Sequence, residues 1–226
     1  MATGRTEVDW EAMADLVLPE LGTGRPDDVG PEQAVDGLLL DGLDLSGVDA
    51  AGAAFDECLL RSCVLDDAVL ARARLTSCLL DQVRATALDA RRSTWRDVVV
   101  RGSRAGALVV HGAELTRVTV AGSRLDFVNL RGATAAQVQF TGCRIGELDV
   151  GQARLRDVRF VECQVERLVL TGSELERVDL RGAGLTEVEG IGSLAGAPIG
   201  AGQLQQLAPA LAGHLGIAVA DVAASG

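Results

Sequence analysis

From Leu40 to Leu185, every residue whose number divides by five is apolar. That is thirty positions in succession, half of them Leu. A period of five fits neither the 3.6 of an α-helix nor the plain alternation of a long strand. It fits a short strand that points in, out and in again over three residues and then spends two residues turning. The second inward position lies two residues before each large one, as in Ala53, Cys58, Cys63, Ala68, Ala73 and Cys78. Between the inward pairs stand mostly Asp, Arg, Thr, Glu and Gly. Gly42, Gly47, Gly52, Gly102 and Gly182 are among the glycines at the second turn position, where tight turns or a close backbone approach favour them.

A second period lies inside the first. Sorted by twenties, one column of small inward positions reads Ala53, Ala73, Ser93, Ala113, Ala133, Ala153, Ser173. Another reads Cys58, Cys78, Val98, Val118, Val138, Val158, Val178, and a third, Val48, Ala68, Leu88, Leu108, Val128, Leu148, Leu168, is mostly larger. Four units therefore complete one turn, residues twenty apart stack, and the chain is a four-sided β-solenoid. A narrow, regular interior agrees with a composition of only 3% aromatic residues.

The stretches "GLDLSGVDAAGAAF", "FVNLRGA" and "RVDLRGAGL" resemble the A-(D/N)-L-x-x unit of pentapeptide-repeat proteins. The resemblance covers about 150 of the 226 residues. It implies an all-β fold, a right-handed quadrilateral parallel β-helix. Thirty units make about 7.5 coils, roughly 36 Å of rod at about 4.8 Å per coil, plus a partial closing coil near residue 190.

Four segments are expected: an N-terminal helical cap over 1–21, a linker over 22–37, the β-helix over 38–200, and a C-terminal helical segment over 201–226. "TEVDWEAMADLVLPEL" reads as the first helix, with Thr6 as its N-cap, folding back over the first coil. Open strand edges at both ends of a solenoid need such covers. In "QLQQLAPALAGHLGI", Leu204, Leu207, Leu211 and Leu215 recur at helical spacing, and Pro209 is expected to kink the helix or start a second one. These four Leu are candidates for a monomeric cap or for a twofold dimer contact of the kind found in some gyrase-binding members of the family.

Chemistry is sparse. The chain has two His; His111 falls at an outward turn, and His214 in the terminal helix. Ser at small inward positions replaces Ala in the core. "GIGSLAG" lacks the strand–helix setting and the Lys of a phosphate loop. The sequence therefore predicts no enzyme, no catalytic residue, no cofactor and no metal site. All five Cys (58, 63, 78, 143 and 163) take the small inward position, so reduced, slowly reacting core thiols are expected. No secretory signal or membrane-spanning stretch is visible, and a soluble cytoplasmic protein follows as the expectation.

Charge supplies the one candidate surface. The net charge is −11, but residues 1–37 hold −7 of it. Residues 83–131 carry nine Arg against four acids, while 38–82 hold a net −5. Arg84, Arg104, Arg124 and Arg144 are twenty apart and form one outward column, with Phe127 at a turn beside it as a candidate exposed aromatic. The column is either a face for an acidic partner or ordinary solvated Arg balanced by nearby acids.

The resemblance implies a non-enzymatic protein that binds another protein as a rigid scaffold. An alternative it implies is a DNA mimic that binds DNA gyrase or topoisomerase IV and protects it from quinolones. The basic middle and the absence of interrupting loops argue against a close copy of that mimic. Nucleic-acid binding through the Arg column is a remote third option.

Overall fold

A computed structural model of the chain describes residues 8–220. Strands stack in parallel with a register of twenty: Val98 pairs Val118, which pairs Val138, which pairs Val158 and then Val178. Four flat faces result, each named here by its outward column. The first holds residues 39, 59, 79 and upward; the second, 44, 64 and 84; the third, 49, 69 and 89; the fourth, 54, 74 and 94. Below residue 82 each face has its own strand of two to four residues, or only a bridge. From Arg84 upward the strands lengthen. Thr94–Arg101 spans the fourth and first faces in one run, and Arg104–Val109 spans the second and third. At the corner between the second and third faces, Gly47 and Asp67 take positive φ; above them the column passes to Ala87 and Ala107, and the corner is extended.

The multiples of five fill the interior. Leu40, Leu65, Leu75, Ile145, Leu170 and Leu180 are almost wholly buried. Phe140 and Phe160, one coil apart, stack with centroids 5.0 Å apart and rings 7° from parallel. Trp95 is the largest residue in its column, and its indole N–H donates to Ser93 Oγ at 2.8 Å, while Ser93 Oγ donates to the Ala90 carbonyl at 2.6 Å. Inward Ser and Cys play one further role in common. Ser103 Oγ accepts the Val83 N–H, Ser123 Oγ accepts the Ser103 N–H, and Cys163 Sγ accepts the Cys143 N–H, each from the coil below. All five thiols are free and buried. Burial pushes the Cys63 thiol up, and a hydrogen bond shared with Cys163, followed by burial, does the same for Cys143.

The N-terminal end differs from the sequence expectation. Residues 22–37 are no linker: Gly22–Thr23 pairs with Leu38–Leu39, and Ala34–Asp36 pairs with Ala54–Asp56. The offset from Gly22 to Leu38 is sixteen rather than twenty, so this is an entry coil four residues short, plugged by Val29 and Val35. Its Gly24 is required by space, because a Cβ there would meet Leu40 Cδ2 at 2.3 Å.

The N-terminal helix α1 covers only Trp10–Ala14, capped by Asp9, whose Oδ1 accepts the Ala12 N–H at 3.0 Å. Thr6 lies outside the described residues. Helix α1 does not cover the first coil. It sits far up the first face, where Thr119 Oγ1 donates to the Met13 carbonyl and Trp10 lies 4.5 Å from the Arg159 guanidinium. Residues 15–21 then run down the outside of that face to Gly22. The physical reason is the outward column itself: Leu39, Leu59, Leu79 and Val99 are apolar and need a cover. Leu79, Val99, Thr119 and Gln139 are buried although they point away from the core.

At the other end, Leu194, Ala197 and Ile199 pack on the core as a partial closing coil. Helix α2, Ala201–His214, follows and runs unbroken through Pro209 instead of dividing there. Gln203 Nε2 donates to the carbonyls of Leu180 and Ala183, which satisfies strand-edge acceptors that no further coil would reach. No helix among the described residues is long and apolar enough to cross a membrane.

Candidate functional site: an arginine ladder on the second face

The outward column of the second face reads Asp44, Val64, Arg84, Arg104, Arg124, Arg144, Gln164, Gly184. Strand register places the four Arg directly above one another: Arg84 pairs Arg104, Arg104 pairs Arg124, and Arg124 pairs Arg144. Adjacent rungs are therefore about 4.8 Å apart, and all four side chains are exposed.

At several other points on the rod a cation has an acid in the adjoining coil. Arg61 pairs with Asp41, Arg101 with Asp81, Arg117 with Asp97, Arg154 with Glu174, and Arg177 with Asp157. Arg167 lies between Glu147 and Glu187. These contacts perturb titration as expected: the Arg61 hydrogen bond holds the Asp41 carboxyl low, and the Arg177 hydrogen bond does the same for Asp157. The ladder lacks such pairs over four consecutive levels, as Arg72 and Arg92 do over two. Among the described residues, Arg84, Arg104 and Arg144 have no ion-pair partner, and Arg124 touches Asp126 only through Nε at 3.3 Å. Two unit charges one rung apart in water repel by about 1 kcal/mol before salt screening. A stack of four cations thus gains nothing for the fold from its own electrostatics.

Two open grooves run along the ladder. The lower, about 550 Å³, has Arg84, Arg104 and Arg124 beside a floor of Ala85, Ala105 and Gly106. The upper one continues past Arg144 to Gly146 and Gln164. Gly106 and Gly146 are dictated by close approach, since a Cβ would stand 2.5 Å from the Thr86 carbonyl oxygen and 2.4 Å from that of Asp126. Asp66, at the groove's lower end, is already engaged by the N–H and hydroxyl of Thr86.

Phe127 is half-buried, not exposed. It stacks in register with Ala107 below and Glu147 above, at the corner beyond the ladder. The terminal leucines divide: Leu207 is buried on the closing coil, Leu211 is half-buried, and Leu204 and Leu215 are 51% and 68% exposed. The apolar outward column at Leu39, Leu59, Leu79 and Val99 is visible in the sequence only when the outward positions, like the inward ones, are sorted by twenties.

Comparison with known proteins returns the model for "Pentapeptide repeats", in eight copies over residues 44–82. No curated protein matches. Among solved structures, HetL, a pentapeptide-repeat protein involved in heterocyst differentiation regulation from the cyanobacterium Nostoc, is 18% identical. That match covers 74% of this chain and 89% of its own, with a TM-score of 0.37. Full-length QnrB1, a plasmid-mediated fluoroquinolone resistance protein, is 19% identical over 84% of this chain and 94% of its own, with a TM-score of 0.38. Residues 44–82 match the pentapeptide-repeat model, and the same five-residue unit is carried in register to Leu185.

Proposed function

We propose that the protein is a non-enzymatic, cytoplasmic scaffold that binds a protein partner through the ladder on its second face. The observation that carries this reading is the stack of four in-register Arg, of which only Arg124 touches an acid, and then only through Nε. Each rung is fixed by backbone hydrogen bonds to the coils above and below, so little ordering of the main chain is needed on binding. Guanidinium groups suit carboxylate recognition because they present several donors in a fixed plane.

A photo-crosslinking residue at Thr86, in the groove, compared with one at Thr134, on the opposite face, tests this in cells. The expected result is a discrete protein adduct from position 86 that disappears when R104E and R124E are added. Identical adducts from both positions, or an adduct indifferent to charge reversal, would end the proposal. The topoisomerase-directed role implied by DNA mimicry asks for an acidic flank, and the second face is basic over four coils. A gyrase supercoiling assay with and without ciprofloxacin separates the two: inhibition or protection at micromolar protein would redirect the reading to gyrase.

A further inference from the structure

The spacing of the ladder and the shape of its floor point to the chemical class of its partner. The geometry points to an extended peptide segment with acidic residues at alternate positions, lying along the rod axis in the groove beside Arg84, Arg104, Arg124 and Arg144. This inference rests on the scaffold reading above.

The four rungs span about 14.4 Å at about 4.8 Å each. In an extended peptide, side chains on one face recur every two residues, about 6.8 Å, so three alternate acids span about 13.6 Å. Centred on the ladder, the outer acids fall within about half an ångström of the Arg84 and Arg144 levels. The middle acid falls midway between Arg104 and Arg124, where both guanidinium groups reach it. Contiguous acids on an extended chain would turn every second carboxylate away from the rungs. The floor suits a flat main chain: Gly106 and Gly146, beside the rungs, carry no side chain at all. Arg124 still has both terminal nitrogens free of carboxylates among the described residues, because Asp126 engages only its Nε.

A nucleic-acid strand fits the same surface less well. Asp66 and Glu166 lie one coil below and one coil above the ladder, where an unbroken phosphate chain would meet them and a peptide with three acids would not. The net charge of −11 opposes long-range approach of any polyanion, which a short peptide of three charges feels far less. No exposed aromatic stands beside the ladder to stack a base, since Phe127 is half-buried.

The test is fluorescence anisotropy with the full chain and three labelled probes: the peptide GSESESESG, its isomer GSSEEESSG, and a ten-nucleotide oligothymidylate. The alternating peptide is expected to bind at least threefold tighter than its isomer. Its affinity should fall at least tenfold in the R104E/R124E variant and fall again as salt rises from 50 to 200 mM. Circular dichroism and urea unfolding of the variant establish that the coil is intact. Equal binding of the two peptides, no binding at millimolar peptide, tighter binding of the oligonucleotide, or binding unchanged by charge reversal would each overturn the inference. A failure here, with the position-86 adduct still lost on charge reversal, would leave the scaffold reading standing with a partner of different chemistry. Loss of both would remove the ladder as a binding face.

Discussion

The column Ala53, Ala73, Ser93, Ala113, Ala133 makes Ser93→Ala look harmless, yet the structure predicts that it destabilises the protein. Ser93 is completely buried, and its hydroxyl accepts the indole N–H of Trp95 at 2.8 Å. Alanine fits the space, as it does one coil above and below, so no clash or cavity of consequence arises. The Ala90 carbonyl keeps the Ser93 backbone N–H as a donor and stays satisfied. What remains is a buried indole N–H without an acceptor, which costs about 1–3 kcal/mol. Urea unfolding should show a midpoint lower by roughly 0.3–1 M for a slope near 3 kcal/mol/M, with the slope unchanged. The decisive control is the Trp95→Leu background, because Leu75 and Leu115 occupy the same column and need no acceptor. There, Ser93→Ala should cost at most a few tenths of a kcal/mol, giving a coupling of about 1–2 kcal/mol in the double-mutant cycle. Equal costs in both backgrounds, or no cost in either, would refute the claim that Ser93 is present to serve Trp95.

Further outcomes follow from the same structure. Gln203→Ala leaves the Leu180 carbonyl its Ala183 N–H but strips the side-chain donor from the Ala183 carbonyl at the top edge, and should lower stability by about 1–3 kcal/mol, read by calorimetry or urea; an unchanged midpoint would mean that α2 does not seal the coil. Trp10→Ala removes the contact with Arg159 and should speed cleavage at exposed Glu20 by a Glu-specific protease while the coiled body stays resistant; an unchanged rate would show that the N-terminal strap is held by its other contacts. Arg partners hold the carboxyls of Asp41, Asp89, Asp157 and Asp179 below their ordinary value. Their stabilising contribution is complete above the unfolded-state value of about 3.9 and is lost as pH falls through the depressed folded values. The urea midpoint should therefore be insensitive to these groups from pH 8 to about 5 and should decline below about pH 4; a decline already under way at pH 6 would contradict this.

Most of the coiled body was legible because its two periods are rigid consequences of geometry. A five-residue unit must place each multiple of five inside, and a four-unit turn must stack residues twenty apart, so the Arg ladder and the buried cysteines could be placed from numbering alone. The ends were less legible because they leave that arithmetic. Residues 22–37 form a coil four residues short, in which only Val35 keeps phase, so their turns and Pro read as a linker. Helix α1 is five residues long, and its position is set by an apolar column on the outside of the rod rather than by its own periodicity. Helix α2 continues through Pro209, and its first turns are anchored by Gln203 on the last coil and by buried Leu207. At the candidate site, the same arithmetic sets the Arg and their neighbours: Arg101 has Asp81 twenty residues below, whereas Arg104 has Arg84 and Arg124. The grooves were not legible, because they depend on the close backbone approach at Gly106 and Gly146.

The central claim is that the ladder serves binding and does nothing for the fold, and urea unfolding of Arg104→Glu tests it most directly. The substitution places a carboxylate between Arg84 and Arg124, turning two like-charge neighbours into two opposite-charge ones. The account predicts a midpoint equal to or above that of the unmodified protein, with the difference shrinking as salt is added. A stability loss of more than about 1 kcal/mol, outside the usual range for a surface substitution, would show that Arg104 is structural and would contradict the account.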